Sequence, residues 1–289
     1  MGRNKRGLIY QKINSTVCVD YKPVFLRNFI LMKVVIFAGG LGTRISEETG
    51  TRPKPMVEIG GKPVLWHIMK MYEHYGHNEF IICLGYRGYM IKEYFANYFL
   101  HNSDITIDLG KNKSEVHNSN AENFKITLVD TGLETKTAGR LKAVQKYTGD
   151  EDFMLTYGDG VSDVDFKKLL AFHKNNNKIA TVTAVQLDAR FGGLDLADNG
   201  DVLSFREKAK DESKWINAGF FVLRPTVFDY LKGNMNGIMW EDEPLEKLTA
   251  DKQLAAYRHK GFWKCMDALR DKIELEELWQ KNQAKWKIW

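Results

Sequence analysis

An apolar run, KVVIFA at 33–38, empties directly into the glycine-rich stretch GGLGTR at 39–44, and no other junction restricts the fold as much. A short β-rich apolar run is a buried strand, and Gly39, Gly40 and Gly42 right behind it mark a loop at its C-terminal end. The next periodic segment, KPVLWHIMKMYEHYG at 62–76, sets Val64, Leu65, Ile68, Met69 and Tyr72 on one helical face and stops at Gly76. EFIICLGYRG at 79–88 is then a second buried strand. Strand, loop, helix, strand is a βαβ unit, and such units build parallel sheets with ligand sites at the strand C-termini.

The same rhythm runs on more weakly. Helices are predicted over 89–99, 138–147, 165–177 and 267–282, and strands over 105–109, 125–132, 152–160, 179–187 and 215–225. The polar stretch GKNKSEVHNSNAEN at 110–123 reads as a mobile loop, and Asn199-Gly200 between two alternating runs reads as a hairpin turn. With no internal repeat and no Pro/Ser-rich linker, residues 32–289 form one continuous α/β domain. Its expected fold is a mixed, mostly parallel sheet flanked by helices, Rossmann-like, with an inserted β-hairpin region.

The formal charge of +5 invites a nucleic-acid partner, but its location speaks against one. Residues 1–31 carry Arg3, Lys5, Arg6, Lys12, Lys22 and Arg27 against Asp20, a surplus of five that equals the whole chain's. The body from Met32 onward is therefore neutral and has no electrostatic footprint for DNA or RNA. Residues 1–31 also lack an unbroken apolar core and a cleavage pattern, so they read as an N-terminal extension outside the functional chain, with a basic arm that binds a membrane or a partner as the alternative. Cys18, Cys83 and Cys265 are odd in number and fit no zinc spacing, which suits a reduced cytoplasmic protein, and no apolar stretch is long enough for a membrane span.

Glycines after a strand let backbone N–H groups crowd around anionic oxygens. The P-loop pattern GxxxxGK[ST] is absent, and GxGxxG fails because Ile45 stands where the third glycine belongs. What remains is a glycine turn followed by Arg44, and Lys54 held between Pro53 and Pro55, whose rings stiffen the backbone before any ligand arrives. Two preset cations suit phosphoryl or nucleotidyl transfer, where positioning and charge stabilisation supply nearly all the catalysis. Read by themselves, Asp159 is a turn residue and Asp267 a helix cap. His67 reads as a core histidine, and His74 and His77 as solvated surface residues. Trp279, Trp286 and Trp289 either dock on their own domain or meet a second subunit.

GGxGTR followed by PKP resembles the signature of the sugar-phosphate nucleotidyltransferases. The likeness continues through SEET (46–49), KPMVEIGGKPVLWHIMKMY, TYGDGVSD, INAGFFVL and GFWKCMDALRDK, and so covers Met32 to Trp289. SEET, where other branches typically carry a proline, favours the cytidylyl branch that acts on glucose-1-phosphate. The resemblance implies Arg44 and Lys54 as catalytic cations on the triphosphate of CTP. It implies a nucleotide site from Phe37, Ala38, Gly39, Gly40, Leu41, Gly42 and Thr43, with Thr135, Gly139 and Arg140 near the cytidine. Asp159 and Asp267 would hold Mg²⁺, while Asp159, Gly192, Glu207, Lys208, Asn217 and Gly219 would receive the sugar phosphate. Ala138 and Ala218 stand where the family often has glycine, and Ala209 where it commonly has proline. A cytoplasmic homo-oligomer making CDP-glucose is implied. Turnover with UTP or dTTP, or a sugar-nucleotide-sensing subunit without turnover, are the alternatives; the joint presence of Arg44, Lys54, Asp159 and Asp267 speaks against the last.

Overall fold

Seven segments with strand-like apolar content pair into one sheet in the computed structural model, which describes residues 31–186, 193–196, 202–206 and 215–289. They are β1 (Lys33–Ala38), β2 (Glu79–Leu84), β3 (Lys125–Asp130), β4 (Phe153–Tyr157), β5 (Ala180–Gln186), β6 (Trp215–Leu223) and β7 (Leu254–His259). Their order is β7-β5-β6-β4-β1-β2-β3. β1 runs parallel to β2 and β4, β2 to β3, and β5 to β7, whereas β6 is antiparallel to both its neighbours. The sheet is thus mixed and mostly parallel, as the opening βαβ unit implies.

Alternation along β1 builds two cores. Val34 and Ile36 face one layer with Phe80, Ile82 and helix α1 (Val64–His74). Val35 and Phe37 face the other with Ile81, Cys83 and helix α3 (Thr137–Ala143), α2 being Gly88–Ala96. Both faces are covered, so β1 and β2 are apolar at every position after their first residue. Helix α4 (Phe166–Asn176) adds Phe166, stacked on Tyr72 with ring centroids 4.2 Å apart. The chain finishes through α5 (Glu243–Ala250) and α6 (Leu269–Gln280).

Three expectations need correcting. Lys113–Ser119 is no loop; it pairs antiparallel with Ser103–Asp108. Its strand is exposed at every position, so no face required apolar alternation and the pattern was missing. The 138–147 helix breaks at Val144, after which Gln145–Thr148 forms a separate turn of helix. His77 is buried, accepting a hydrogen bond at Nδ1 from the Met32 backbone N–H at 3.1 Å, while His74 is exposed as expected. The hairpin strands Gly193–Leu196 and Val202–Arg206 do pair, whereas Asn199-Gly200 lies outside the described residues.

The C-terminal tryptophans dock on their own domain. Trp286 is fully buried, and Trp279 and Trp289 pack against the same core. They surround His67, whose Nε2 donates to the Ile59 carbonyl at 2.8 Å while Nδ1 accepts from Trp286 Nε1 at 3.4 Å.

Burial pushes His67, His77 and His173 from the ordinary 6.5 down to about 4. The unfolded chain takes up these protons near 6.5 and the folded chain only near 4, so their contribution is complete above pH 6.5 and is lost as pH falls toward 4. By about pH 5 each histidine costs roughly 2 kcal/mol. A urea midpoint clearly lower at pH 5 than at pH 7.5 is expected; equal midpoints would contradict neutral burial.

Candidate active site

The C-terminal ends of β1 and β4 lie side by side and deliver the two loops that make the site. Gly42 sits at φ 66°, a left-handed turn that throws the chain into the short helical turns Thr43–Ile45 and Ser46–Thr49. Thr49 Oγ1 donates back to the Gly42 carbonyl at 3.0 Å, and Tyr86 Oη donates to the Thr49 carbonyl at 3.0 Å, so the loop is tied at both ends. Glu48 of the SEET segment pairs with Lys272 on α6. Pro53, extended at φ −69° and ψ 149°, leads into the turn Lys54–Met56.

After β4 the chain passes Gly158, whose N–H donates to the Phe37 carbonyl at 2.9 Å. A Cβ there would stand 2.7 Å from that oxygen, so only glycine allows the approach. Asp159 follows. Strands Gly160–Ser162 and Trp263–Cys265 then pair antiparallel, and this local pairing carries Asp267 next to Asp159 although the two are far apart in sequence. Asp271 fixes the backbone there: its Oδ2 accepts from the N–H of Asp267 at 3.1 Å and of Ala268 at 2.8 Å.

Four charges converge. Lys54 Nζ lies 2.6 Å from Asp159 Oδ2 and 2.9 Å from Asp267 Oδ1, and Arg44 Nη1 lies 3.0 Å from Asp267 Oδ2. Burial pulls the Lys54 ammonium down, but Asp159 and Asp267 outweigh it and hold the group above its ordinary value. Burial likewise raises the Asp267 carboxyl, and the Lys54 hydrogen bond and charge, with Arg44, more than reverse this. Lys54 and Asp267 are therefore both ionised at neutral pH.

One ligand atom each from Asp159, Asp267 and Cys265 lie within 4.8 Å of one another. Two carboxylates suit a hard, oxygen-seeking divalent cation such as Mg²⁺. Cys265 does not belong to that set: burial pushes its thiol up, so sulfur stays protonated, and Mg²⁺ does not favour it.

Two cavities meet at this cluster. The larger, about 350 Å³, is lined by residues 37–43, Lys54, Pro55, 133–137, Arg140, 157–159 and Met239. The smaller, about 240 Å³, is lined by Arg44, residues 156, 157, 159 and 160, Asn217, Ala218, Gly219, Trp263, Cys265 and Asp267. Tyr157 and Asp159 belong to both.

Of the residues singled out from the sequence, Phe37 to Thr43, Lys54, Thr135, Arg140 and Asp159 border the larger space, and Arg44, Asp159, Asn217, Gly219 and Asp267 the smaller. Gly139 lines neither; a Cβ there would sit 2.7 Å from Thr135 Cγ2 and 2.8 Å from Asn236 Cα, so it is a packing glycine. Arg140 is buried, and its guanidinium donates to the carbonyls of Gly39, Leu84 and Leu133 and to Thr131 Oγ1. It braces the cavity wall. Gly192, Glu207, Lys208 and Ala209 lie outside the described residues.

Ala138 and Ala218 are both buried, and the Ala218 carbonyl accepts from Trp263 Nε1 at 2.8 Å. Sequence reasoning missed Tyr157 as a shared wall and Glu241 behind it. Tyr157 stands inside the quoted TYGDG run, whereas Glu241 is one acid among many and carries no local signal.

Comparison with known proteins points the same way. The family model described as nucleotidyl transferase matches residues 33–279. The glucose-1-phosphate cytidylyltransferase of Salmonella typhi is 55% identical over 259 residues, covering 89% of this chain and 100% of that one. The probable glucose-1-phosphate cytidylyltransferase of Bacillus subtilis (strain 168) is 46% identical over 258 residues, again covering 89% and 100%. Among solved structures, HddC of Yersinia pseudotuberculosis superposes with a TM-score of 0.63 at 26% identity, covering 86% of this chain and 99% of that one.

Proposed function

Because the chain belongs to the nucleotidyl transferase family, we propose that it transfers the CMP unit of CTP to glucose-1-phosphate, giving CDP-glucose and pyrophosphate. The observation that carries the reading is the meeting of two cations and two carboxylates where the two cavities join. The larger space, floored by the glycine loop, is assigned to CTP; at Gly40 a Cβ would meet no protein atom within 4 Å, so the space beyond it is free for a phosphate. The smaller space, with Asn217 and Gly219, is assigned to glucose-1-phosphate, together with Gly192, Glu207 and Lys208 of the hairpin region.

A phosphate oxygen of glucose-1-phosphate attacks the α-phosphorus of CTP, and the bond from that phosphorus to the bridging oxygen breaks. The electron pair leaves with pyrophosphate. No general base is needed, since the attacking phosphate is already ionised at neutral pH. Lys54 lies at the junction and stabilises charge on both reacting phosphates, and Arg44, paired with Asp267 at the edge of the smaller space, adds a second positive charge beside them. Asp159 and Asp267 would hold Mg²⁺, which supplies positive charge to the triphosphate oxygens. Mass spectrometry of a mixture of protein, CTP, glucose-1-phosphate and Mg²⁺ tests the reaction: CDP-glucose and pyrophosphate should appear in equal amounts, and their absence would refute it.

We hold residues 1–31 to be dispensable and the active form to be a homo-oligomer. The exposed Ile107, Leu109 and Val116 on the hairpin formed by Ser103–Asp108 and Lys113–Ser119 support the latter. Deleting residues 1–31 should leave kcat/KM and the number of subunits by light scattering, two or more, unchanged. A soluble but inactive truncation, or a monomeric mass, would contradict these two readings respectively.

A further inference from the structure

A hydrogen-bonded strap runs behind both cavities. The Asn217 side chain, in the smaller cavity, lies beside the Tyr157 phenol and accepts from the Gly219 N–H at 2.8 Å. That phenol donates to Glu241 Oε1, and Thr137 Oγ1 donates to Glu241 Oε2 at 2.8 Å. Thr137, in the wall of the larger cavity, accepts in turn from the Trp240 N–H at 2.7 Å. The 236–240 segment is also held to that wall by backbone bonds, Lys136 N to Asn236 O at 2.7 Å and Ala138 N to Ile238 O at 3.1 Å.

Tyr157 is the pivot. Its ring lies 5.8 Å from that of Phe37 on the larger side. On the smaller side it fills the space above Gly219, where a Cβ would come within 2.4 Å of it, in a backbone of φ 82° that also favours glycine. The ring is thus one wall shared by two rooms, and only its phenol end is tethered by a charged partner. Glu241 itself lines neither cavity, so it acts through Tyr157 and Thr137. Both its oxygens accept hydroxyl protons, an arrangement that a carboxylate satisfies and an amide, with one acceptor and one donor end, does not.

From this continuity we infer that Glu241 is a positioning residue that sets the two substrate cavities together, by holding Tyr157 and Thr137 in one register. The inference rests on the assignment of the larger cavity to CTP and the smaller to glucose-1-phosphate. Removing the carboxylate frees the shared wall without removing any group that touches the reacting phosphates. The affinity for both substrates falls together, and the chemical step is largely spared.

Steady-state kinetics of wild type, E241Q, Y157F and the double variant test this. E241Q should raise the KM of CTP and of glucose-1-phosphate about tenfold each, with kcat changed by less than about threefold, the scale of one charge-assisted hydrogen bond. Its melting temperature should stay within about 3 °C of wild type, so that a loss of global stability is not the cause. The double variant should be no worse than E241Q, since the two residues act through one contact. A change in only one KM, no change in either, a fall in kcat alone, or multiplied effects would each overturn the inference. Should E241Q fail to fold, the same two KM values in Y157F decide. Wild-type protein without turnover would refute the reaction, and the inference with it, before any variant is compared.

Discussion

Lys54→Ala should lower kcat/KM by about 10²–10³-fold, the usual loss when one preorganised charge is removed from a transition state. Lys54 reaches both carboxylates of the cluster from a turn fixed by prolines on either side, so its charge is placed before the substrates arrive. The pentavalent α-phosphorus and the departing pyrophosphate gain charge that water cannot screen so close to a buried ammonium. Arginine at the same position would keep the charge but misplace it, because a planar fork cannot occupy the point between two carboxylates. The fold should survive Lys54→Ala, since the side chain adds little to either hydrophobic core. Circular dichroism of the variant should match wild type. Activity within about threefold of wild type would remove Lys54 from the chemistry.

The second large effect is on stability. Arg140→Ala should cost about 2–4 kcal/mol, because three carbonyls and a hydroxyl each lose a charged donor inside the wall, the Gly39 and Leu84 carbonyls keeping only their neutral partners. These acceptors come from the ends of β1 and β2 and from the segment after β3, so one side chain joins three neighbouring loops of the sheet. Burial lowers the Arg140 pKa, yet a guanidinium remains charged, and its fixed fork of donors matches the divergent acceptors. Lysine has too few donors in the right directions and should recover only part of the loss. A urea midpoint for Arg140→Ala equal to that of wild type would contradict the bracing role.

Why was so much of this legible in the chain itself? β1, α1 and β2 announce themselves because a buried parallel strand must be apolar throughout and an amphipathic helix must repeat its apolar face every three or four residues. β7, LAAYRH, is hard to read because it is an edge strand whose partly buried and exposed positions alternate while its residues do not alternate apolar and polar. The hairpin strand Lys113–Ser119 escaped for the same reason, carried further.

Site residues divide in a similar way. Arg44 and Lys54 stand on glycine and proline turns whose backbone demands are written in the residues themselves. Asp159 and Asp267 meet only because two short strands pair across more than a hundred residues, and no local pattern reports that pairing. Arg140 has a second role that its sequence position does not show. The resemblance implies a place near the cytidine and Arg140 does border the larger cavity, but that its guanidinium is also held by protein acceptors is something only packing reveals.

This site takes CTP, and not another nucleotide, as the donor to glucose-1-phosphate. Pyrophosphate release should be measured with glucose-1-phosphate and Mg²⁺ against CTP, UTP, dTTP, ATP and GTP in separate reactions, each read as kcat/KM. Turnover with CTP at least about 10²-fold above every other nucleotide is the expected result. Equal or faster turnover with UTP or dTTP, or none with any nucleotide, would contradict it.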